Sequence, residues 1–175
     1  MSNGEDSEKF ALLVDLGIIT VPDDYVHASR LVTFGEQNRE EFHGYYNDNI
    51  NDANFPSPSR ILRPSDKLRV RAFQQVVGGA TTSEDRMAFL ALQEAVYPGA
   101  QGASFVFEQK RDQLLKGMWY ASFDKEERLW KDAGRDRRMP CMYVSSDGGF
   151  RWSLGYFGFV WKTDDVSLCF TEVED

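Results

Sequence analysis

Alternating apolar and polar positions predict three consecutive antiparallel strands over residues 139–172. The first turn would contain Asp147 and Gly148, a pair typical of two-residue hairpin loops, in which both central residues need positive φ. With these two residues as the loop, Tyr143 lies opposite Trp152, and the apolar side chains of the two strands share one face. We therefore expect residues 139–172 to form the centre of a sheet.

The second turn of this segment lies in residues 162–165, and its length is left open by the pattern. A loop of two or four residues pairs Trp161 with Val166, whereas a loop of three residues pairs Val160 with Val166. We prefer the first register because it matches large apolar residues at every step.

The pattern of the middle strand changes near Gly155, beyond which apolar side chains occupy both faces. Either both faces are covered there, or a bulge near Gly155 or Gly158 redirects the side chains. A single layer of helices covers only one face of a sheet, so Phe159 and Trp161 are candidates for contact with another molecule.

Two elements upstream have clear patterns. Residues 67–77 alternate as a half-buried strand, with Lys67, Arg69 and Arg71 facing outward. Residues 78–80 break this strand, and a helix with a wide apolar face follows to about residue 97. A capping box, either Thr81 with Glu84 or Thr82 with Asp85, would begin the helix.

The other elements are predicted from weaker patterns. We expect a short helix over residues 8–16 and a brief strand over 18–21. Residues 25–31 look helical, in competition with a strand over 31–34, and residues 36–46 look helical as well. Residues 103–109 alternate weakly and could return as a strand within 113–123, with a helix over 109–116 as the alternative. A short helix should begin at residue 124.

Together these elements predict an α+β fold: an antiparallel sheet of five to six strands, largely a C-terminal meander, packed by N-terminal and central helices. A chain of 175 residues favours a single domain. Its least patterned part is an Asn-, Asp-, Pro- and Ser-rich loop at about 47–66, long enough to be functional or disordered. The spacing in this loop lacks the glycine and glutamate of a calcium loop.

Composition indicates a globular protein, since 42% of the residues are hydrophobic and 14% are aromatic. No apolar run approaches the roughly 20 residues of a membrane span, and the first residues lack the regions of a signal peptide. We therefore expect a cytoplasmic protein that does not contact membranes, with Cys141 and Cys169 as reduced structural thiols.

The net charge of −8 comes from the first third of the chain, where residues 1–57 contain 11 acidic and three basic residues. This acidity argues against general nucleic-acid binding and permits a basic protein partner. It is equally typical of an ordinary soluble surface.

Two sets of charged residues are candidate sites. Lys67, Arg69 and Arg71 on one strand face could contact phosphates or an acidic partner, or could pair with the acidic first third. Glu108 and Lys110, at the end of a predicted strand, have the Glu-x-Lys spacing of some magnesium-dependent nucleases, whose chemistry also needs a second carboxylate nearby.

Other chemistry has less support. The glycines of residues 78–83 precede a predicted helix but carry no Walker lysine, and Glu84 and Asp85 would repel an anion. His27 and His43 lie in no motif with a nucleophile or a metal ligand, and we expect neither a metal nor a cofactor.

We therefore expect a small non-catalytic interaction or regulatory protein that binds a macromolecular partner, whose identity the sequence does not give. The acidic first third and exposed aromatic residues would provide the contacts. One alternative is a metal-dependent phosphodiester hydrolase that uses Glu108 and Lys110. The other is a small-molecule binder with an aromatic pocket between sheet and helix.

Overall fold

Strands make up most of the regular structure, and the α+β prediction is confirmed. A computed structural model describes residues 8–174. Within that range the chain forms three α-helices, an eight-stranded mixed sheet that is mostly antiparallel, and a separate two-stranded sheet. No helix in this range is long and apolar enough to cross a membrane.

The elements are numbered in chain order. The helices are α1 (Arg30–Asn38), α2 (Ser83–Leu92) and α3 (Gly99–Lys110). The long strands are β1 (Phe10–Thr20), β3 (Lys67–Gln75), β7 (Arg137–Val144), β8 (Phe150–Tyr156) and β10 (Asp165–Glu172). The short strands are β2 (Tyr45–Tyr46), β4 (Thr81–Thr82), β5 (Trp119–Ala121), β6 (Trp130–Lys131) and β9 (Val160–Trp161).

The order of strands in the large sheet is β1-β3-β10-β5-β7-β8-β2, with β6 also paired to β7. The predicted C-terminal meander is wrong, because β10 does not pair with β8. It lies antiparallel to β3, with Leu168 opposite Ala72, and parallel to β5, with Val166 opposite Tyr120. Neither register predicted for the second turn therefore occurs. The five residues from Val166 to Phe170 are all buried, as expected for a central strand covered on both faces.

The hairpin of β7 and β8 is confirmed, but its register differs by one residue from the prediction. Met142, and not Tyr143, lies opposite Trp152. The loop has three residues, closed by a hydrogen bond from the Ser145 amide to the Gly149 carbonyl (2.8 Å). Only Gly148 takes a positive φ, of 87°, which is the geometry of a turn followed by a glycine bulge.

Two predicted elements have the opposite secondary structure. The helix expected over residues 8–16 is mostly strand β1, whose two register shifts against β3 hide its period of two. The strand expected over residues 103–109 belongs to helix α3. Every residue from Gly99 to Phe107 is buried, so α3 has no polar face that would reveal a helical period.

Strand β3 and helix α2 are confirmed. Helix α2 begins with a capping box in which the Thr82 hydroxyl accepts from the Asp85 amide at 3.0 Å and the Asp85 carboxylate accepts from the Thr82 amide at 2.9 Å. The helix ends at Leu92, earlier than predicted.

The sheet carries a hydrophobic core on each face. The larger core includes residues of α1 and α3 together with Trp152 and Phe170. The smaller core includes residues of α2 together with Phe73, Phe157 and Trp161. The predicted middle strand ends at Tyr156, and beyond it Phe157 and Trp161 are buried in the smaller core, whereas Phe159 and Val160 are exposed.

Residues 47–66 contain no helix or strand, as predicted, but they are packed. Ile50, Phe55 and Leu62 are buried in the larger core. The Asp52 carboxylate accepts from the Leu31 and Val32 amides, at 2.9 and 3.0 Å, at the start of α1. The polar composition of this loop therefore serves backbone hydrogen bonds.

Candidate functional site

A cleft of about 490 Å³ opens on the face of the sheet that carries the smaller core. Strands β5, β7 and β8 contribute to one part of its lining, and the segment from Phe159 to Asp165 contributes to the other. Its lining residues are Trp119, Cys141, Ser153, Leu154, Gly155, Phe159, Val160, Trp161, Lys162, Asp164 and Asp165.

The residues that the sheet contributes to the cleft are mostly small. Cys141 and Ser153 lie opposite each other on β7 and β8, and Gly155 follows on β8. A Cβ atom on Gly155 would lie 2.9 Å from Cη2 of Trp161 and 3.1 Å from the Cys141 sulfur. Gly155 therefore allows the Trp161 ring to pack directly on the sheet, as a glycine within a strand often does.

Aromatic rings border the cleft on both contributing segments. Trp119 packs against Tyr143 at a centroid distance of 4.6 Å, with the rings tilted by 32°. Phe159 contacts Tyr156 at 4.7 Å and Trp161 at 5.8 Å. The exposed fraction is 44% for Phe159 and 61% for Val160, so the segment at β9 presents apolar surface to solvent.

Arg86 of helix α2 fixes the turn beside the cleft, and nothing in its sequence surroundings indicates this role. Its side chain is fully buried, with no carboxylate among its hydrogen-bond partners in the described chain. Burial lowers the pKa of the guanidinium to about 10. Its partners are the carbonyls of Lys162 (2.9 Å) and Asp165 (2.7 Å), the hydroxyls of Thr81 (3.1 Å) and Ser167 (3.2 Å), and the side-chain oxygen of Gln75 (3.2 Å).

Trp161 holds the neighbouring strand in place. It is 3% exposed, and its indole N–H donates to the Ser83 hydroxyl at 2.8 Å. Arg86 and Trp161 together position β9 and the following turn, so that Phe159 and Val160 project from a fixed support. Of the two aromatic contact residues predicted from the sequence, only Phe159 is exposed.

Several polar groups of the cleft have no partner within the described chain. The side chains of Ser153, Lys162 and Asp164 make no hydrogen bond or ion pair there, and neither does the indole N–H of Trp119. Asp165 accepts from the Lys162 amide at 2.8 Å, and burial raises the pKa of its carboxyl. The cleft thus combines aromatic surface with polar groups that are available to a ligand.

The cleft does not contain a reactive thiol. Burial raises the pKa of Cys141 to about 12, so the thiol stays protonated at neutral pH. Cys169 is also buried and free. Within residues 8–174 no group of three or more His, Cys, Asp or Glu side chains is placed to hold a metal ion.

None of the basic residues predicted on β3 lines the cleft, and their charge is partly neutralised. Arg69 forms an ion pair with Asp15 of β1. The Arg71 guanidinium lies 5.4 Å from the Phe73 ring centroid, and its Nε is buried without a partner. Lys67 is exposed.

Glu108 and Lys110 lie on helix α3 and not on a strand, so their predicted setting was wrong. Residues two apart on a helix do not face each other. Glu108 instead accepts from the buried Arg30 guanidinium at 2.7 Å and from the Asn38 side-chain amide at 3.2 Å. These contacts give Glu108 a structural partner, and no observation favours the hydrolase alternative.

The remaining candidates also have structural partners or no defined site. The glycines of residues 78–80 precede the capping box of α2. His27 contacts the Tyr25 hydroxyl through Nδ1 at 2.8 Å and the Pro56 carbonyl through Nε2 at 2.7 Å. His43 is exposed.

Comparison with protein-family models, with curated protein sequences and with solved structures gave no match.

Proposed function

We propose that this chain is a non-catalytic binding protein and that the cleft beside Phe159 receives part of a protein partner. The observation that carries the proposal is the position of Phe159. Its exposed ring borders the 490 Å³ cleft and also a second depression of about 360 Å³, lined partly by Arg135, Arg137 and Tyr156. An aromatic anchor between two concavities suits an extended partner surface better than a single enclosed ligand.

The rigidity of the support favours this proposal. Arg86 and Trp161 hold β9 and its turn from inside the protein, so the exposed rings lose little conformational freedom on binding. The acidic first third, a contact surface predicted from the sequence, has internal roles at several positions: Asp15 and Asp48 form ion pairs, and Asp52 accepts from two amides at the start of α1. We therefore assign the main contact to the aromatic cleft.

Binding measurements with a matched pair of variants test the proposal. Phe159→Ala removes the anchor, whereas Tyr45→Ala removes an aromatic side chain of similar exposure, 49%, that does not line the cleft. Proteins captured from the source cells by the unaltered chain are purified, and their affinity for each variant is measured by calorimetry.

We expect Phe159→Ala to weaken binding by more than about 1 kcal/mol, roughly fivefold, and Tyr45→Ala to leave it unchanged. Equal affinity of both variants and the unaltered chain would exclude this cleft as the contact. Circular dichroism of each variant checks that its fold is intact.

A small-molecule binder is the second candidate, because the cleft volume falls within the range of about 300–1,000 Å³ found for ligand pockets. Native mass spectrometry of the purified protein tests it. A copurified small molecule that is lost in Phe159→Ala but kept in Tyr45→Ala would favour this candidate over a protein partner.

A further inference from the structure

We propose that the group received by the cleft is a lysine or arginine side chain of the protein partner. This inference rests on the proposed binding function and adds the chemistry of the contact. It combines the aromatic lining, the two carboxylates of the cleft and the net charge of the chain.

The aromatic rings suit a long basic side chain. Trp119, Phe159 and Trp161 line the same cleft, and aromatic faces attract a cation placed over them. The hydrocarbon stem of lysine or arginine packs on apolar surface while its charged end stays near water. The small side chain of Ser153 leaves room for such a stem.

The carboxylates of the cleft favour a positively charged ligand. Asp164 is exposed and has no hydrogen-bond or ion-pair partner for its side chain in the described chain. Asp165 uses one carboxylate oxygen for the Lys162 amide, which leaves the other oxygen available. The lining thus contains two acidic side chains and one basic side chain, Lys162. The net charge of −8 further favours a basic partner.

Replacement of Lys162 should change the affinity for a basic side chain in the opposite direction to replacement of Asp164. Lys162 lines the cleft, and its positive charge acts on the Asp165 carboxyl, so it would compete with an incoming cation. Asp164→Asn should weaken binding of a basic side chain, whereas Lys162→Gln should strengthen it. A site that selects for shape alone would respond to neither change.

The experiment uses the full chain and capped tripeptides of the form acetyl-Gly-X-Gly-amide, in which X is lysine, arginine, norleucine or glutamate. Norleucine keeps the hydrocarbon stem and lacks the charge. Binding is followed by NMR through the indole N–H signal of Trp119, which Trp119→Phe assigns by its loss.

We expect the lysine and arginine peptides to shift the Trp119 signal in a saturable way, and added salt to weaken their binding. The affinity should fall about two- to fivefold in Asp164→Asn and rise by a similar factor in Lys162→Gln. Asp164 and Lys162 are exposed, and their side chains make no hydrogen bond or ion pair with the described residues, so neither variant should unfold the chain.

The proposal is overturned if the norleucine or glutamate peptide binds as well as the lysine peptide. It is also overturned if no basic peptide binds, or if the two charge variants do not change the affinity in opposite directions. Loss of partner binding in Phe159→Ala together with any of these results would leave the binding function standing without its basic ligand. Retained partner binding in that variant would instead remove the proposed function itself.

Discussion

Replacement of Arg86 should test how the turn beside the cleft is held. The guanidinium donates to five buried or half-buried acceptors, and lysine offers three donors, so Arg86→Lys loses at least two of these hydrogen bonds. A hydrogen bond to a charged group contributes about 1.5–3 kcal/mol, which gives a loss of about 3–6 kcal/mol. The free energy of unfolding of a typical protein is about 5–15 kcal/mol, so we expect this variant to fold with reduced stability.

Arg86→Met should have a larger effect, because it removes all five hydrogen bonds. The Lys162 carbonyl keeps its bond from the Asp165 amide (3.1 Å) and the Gln75 oxygen keeps its bond from the Thr81 hydroxyl (2.9 Å), so at most three acceptors are left unpaired. At about 1–3 kcal/mol for each unpaired acceptor, the expected loss is up to about 9 kcal/mol, which lies within the range of typical total stabilities. Guanidinium denaturation followed by the fluorescence of the four tryptophans measures both variants. Arg69→Lys, which changes an exposed arginine paired with Asp15, is the control and should leave the midpoint unchanged. A stable Arg86→Met variant would show that the buried guanidinium does not hold the turn.

Three further changes have defined outcomes. Gly155→Ala places a Cβ 2.9 Å from the Trp161 ring and should lower the free energy of unfolding by about 1–3 kcal/mol in the same denaturation assay. Gly158→Ala is the control, because no atom lies within 4 Å of the new Cβ, and it should change the free energy of unfolding by less than about 0.5 kcal/mol. Glu108→Ala removes the charged hydrogen-bond partner of Arg30 and should lower the free energy of unfolding by about 1.5–3 kcal/mol. If magnesium raises the denaturation midpoint of the unaltered chain but not that of Glu108→Ala, the result would instead favour the hydrolase. Burial raises the pKa of Asp124 above its ordinary 3.8, so ionisation of this carboxyl weakens the fold as the pH rises through the raised pKa. The stability of Asp124→Asn relative to the unaltered chain should therefore improve between about pH 4 and pH 7, and a constant difference would contradict this cause.

The sequence predicts those elements whose pattern is local. Strand β3 alternates over its length, helix α2 begins with its own capping box, and the hairpin of β7 and β8 contains its turn glycine. Strand β1 and helix α3 were assigned incorrectly because register shifts hide the alternation of the first, and burial on all sides removes the polar face of the second. The place of β10 depends on pairing between distant segments, which no local pattern encodes.

The cleft was only partly predictable for the same reason. Phe159 was identified because the middle strand becomes apolar on both faces, and Gly155 because glycine interrupts a strand. Arg86 gave no signal, since its five acceptors come from β3, β4, β10 and the turn before β10. For Asp164 and Asp165 the sequence predicts only a place in a turn.

The position of β10 also affects how the chain folds during synthesis. The strands that the ribosome makes first, β1 and β3, are separated from β5, β7 and β8 by the last strand of the sheet to be made. A nascent chain whose residues up to β9 have left the ribosome contains two unjoined halves of the large sheet. Each half has a row of unpaired backbone donors and acceptors that can bind other strands. We therefore expect the emerging chain to depend on chaperones until β10 is released, and chains truncated before Asp165 to aggregate or be degraded.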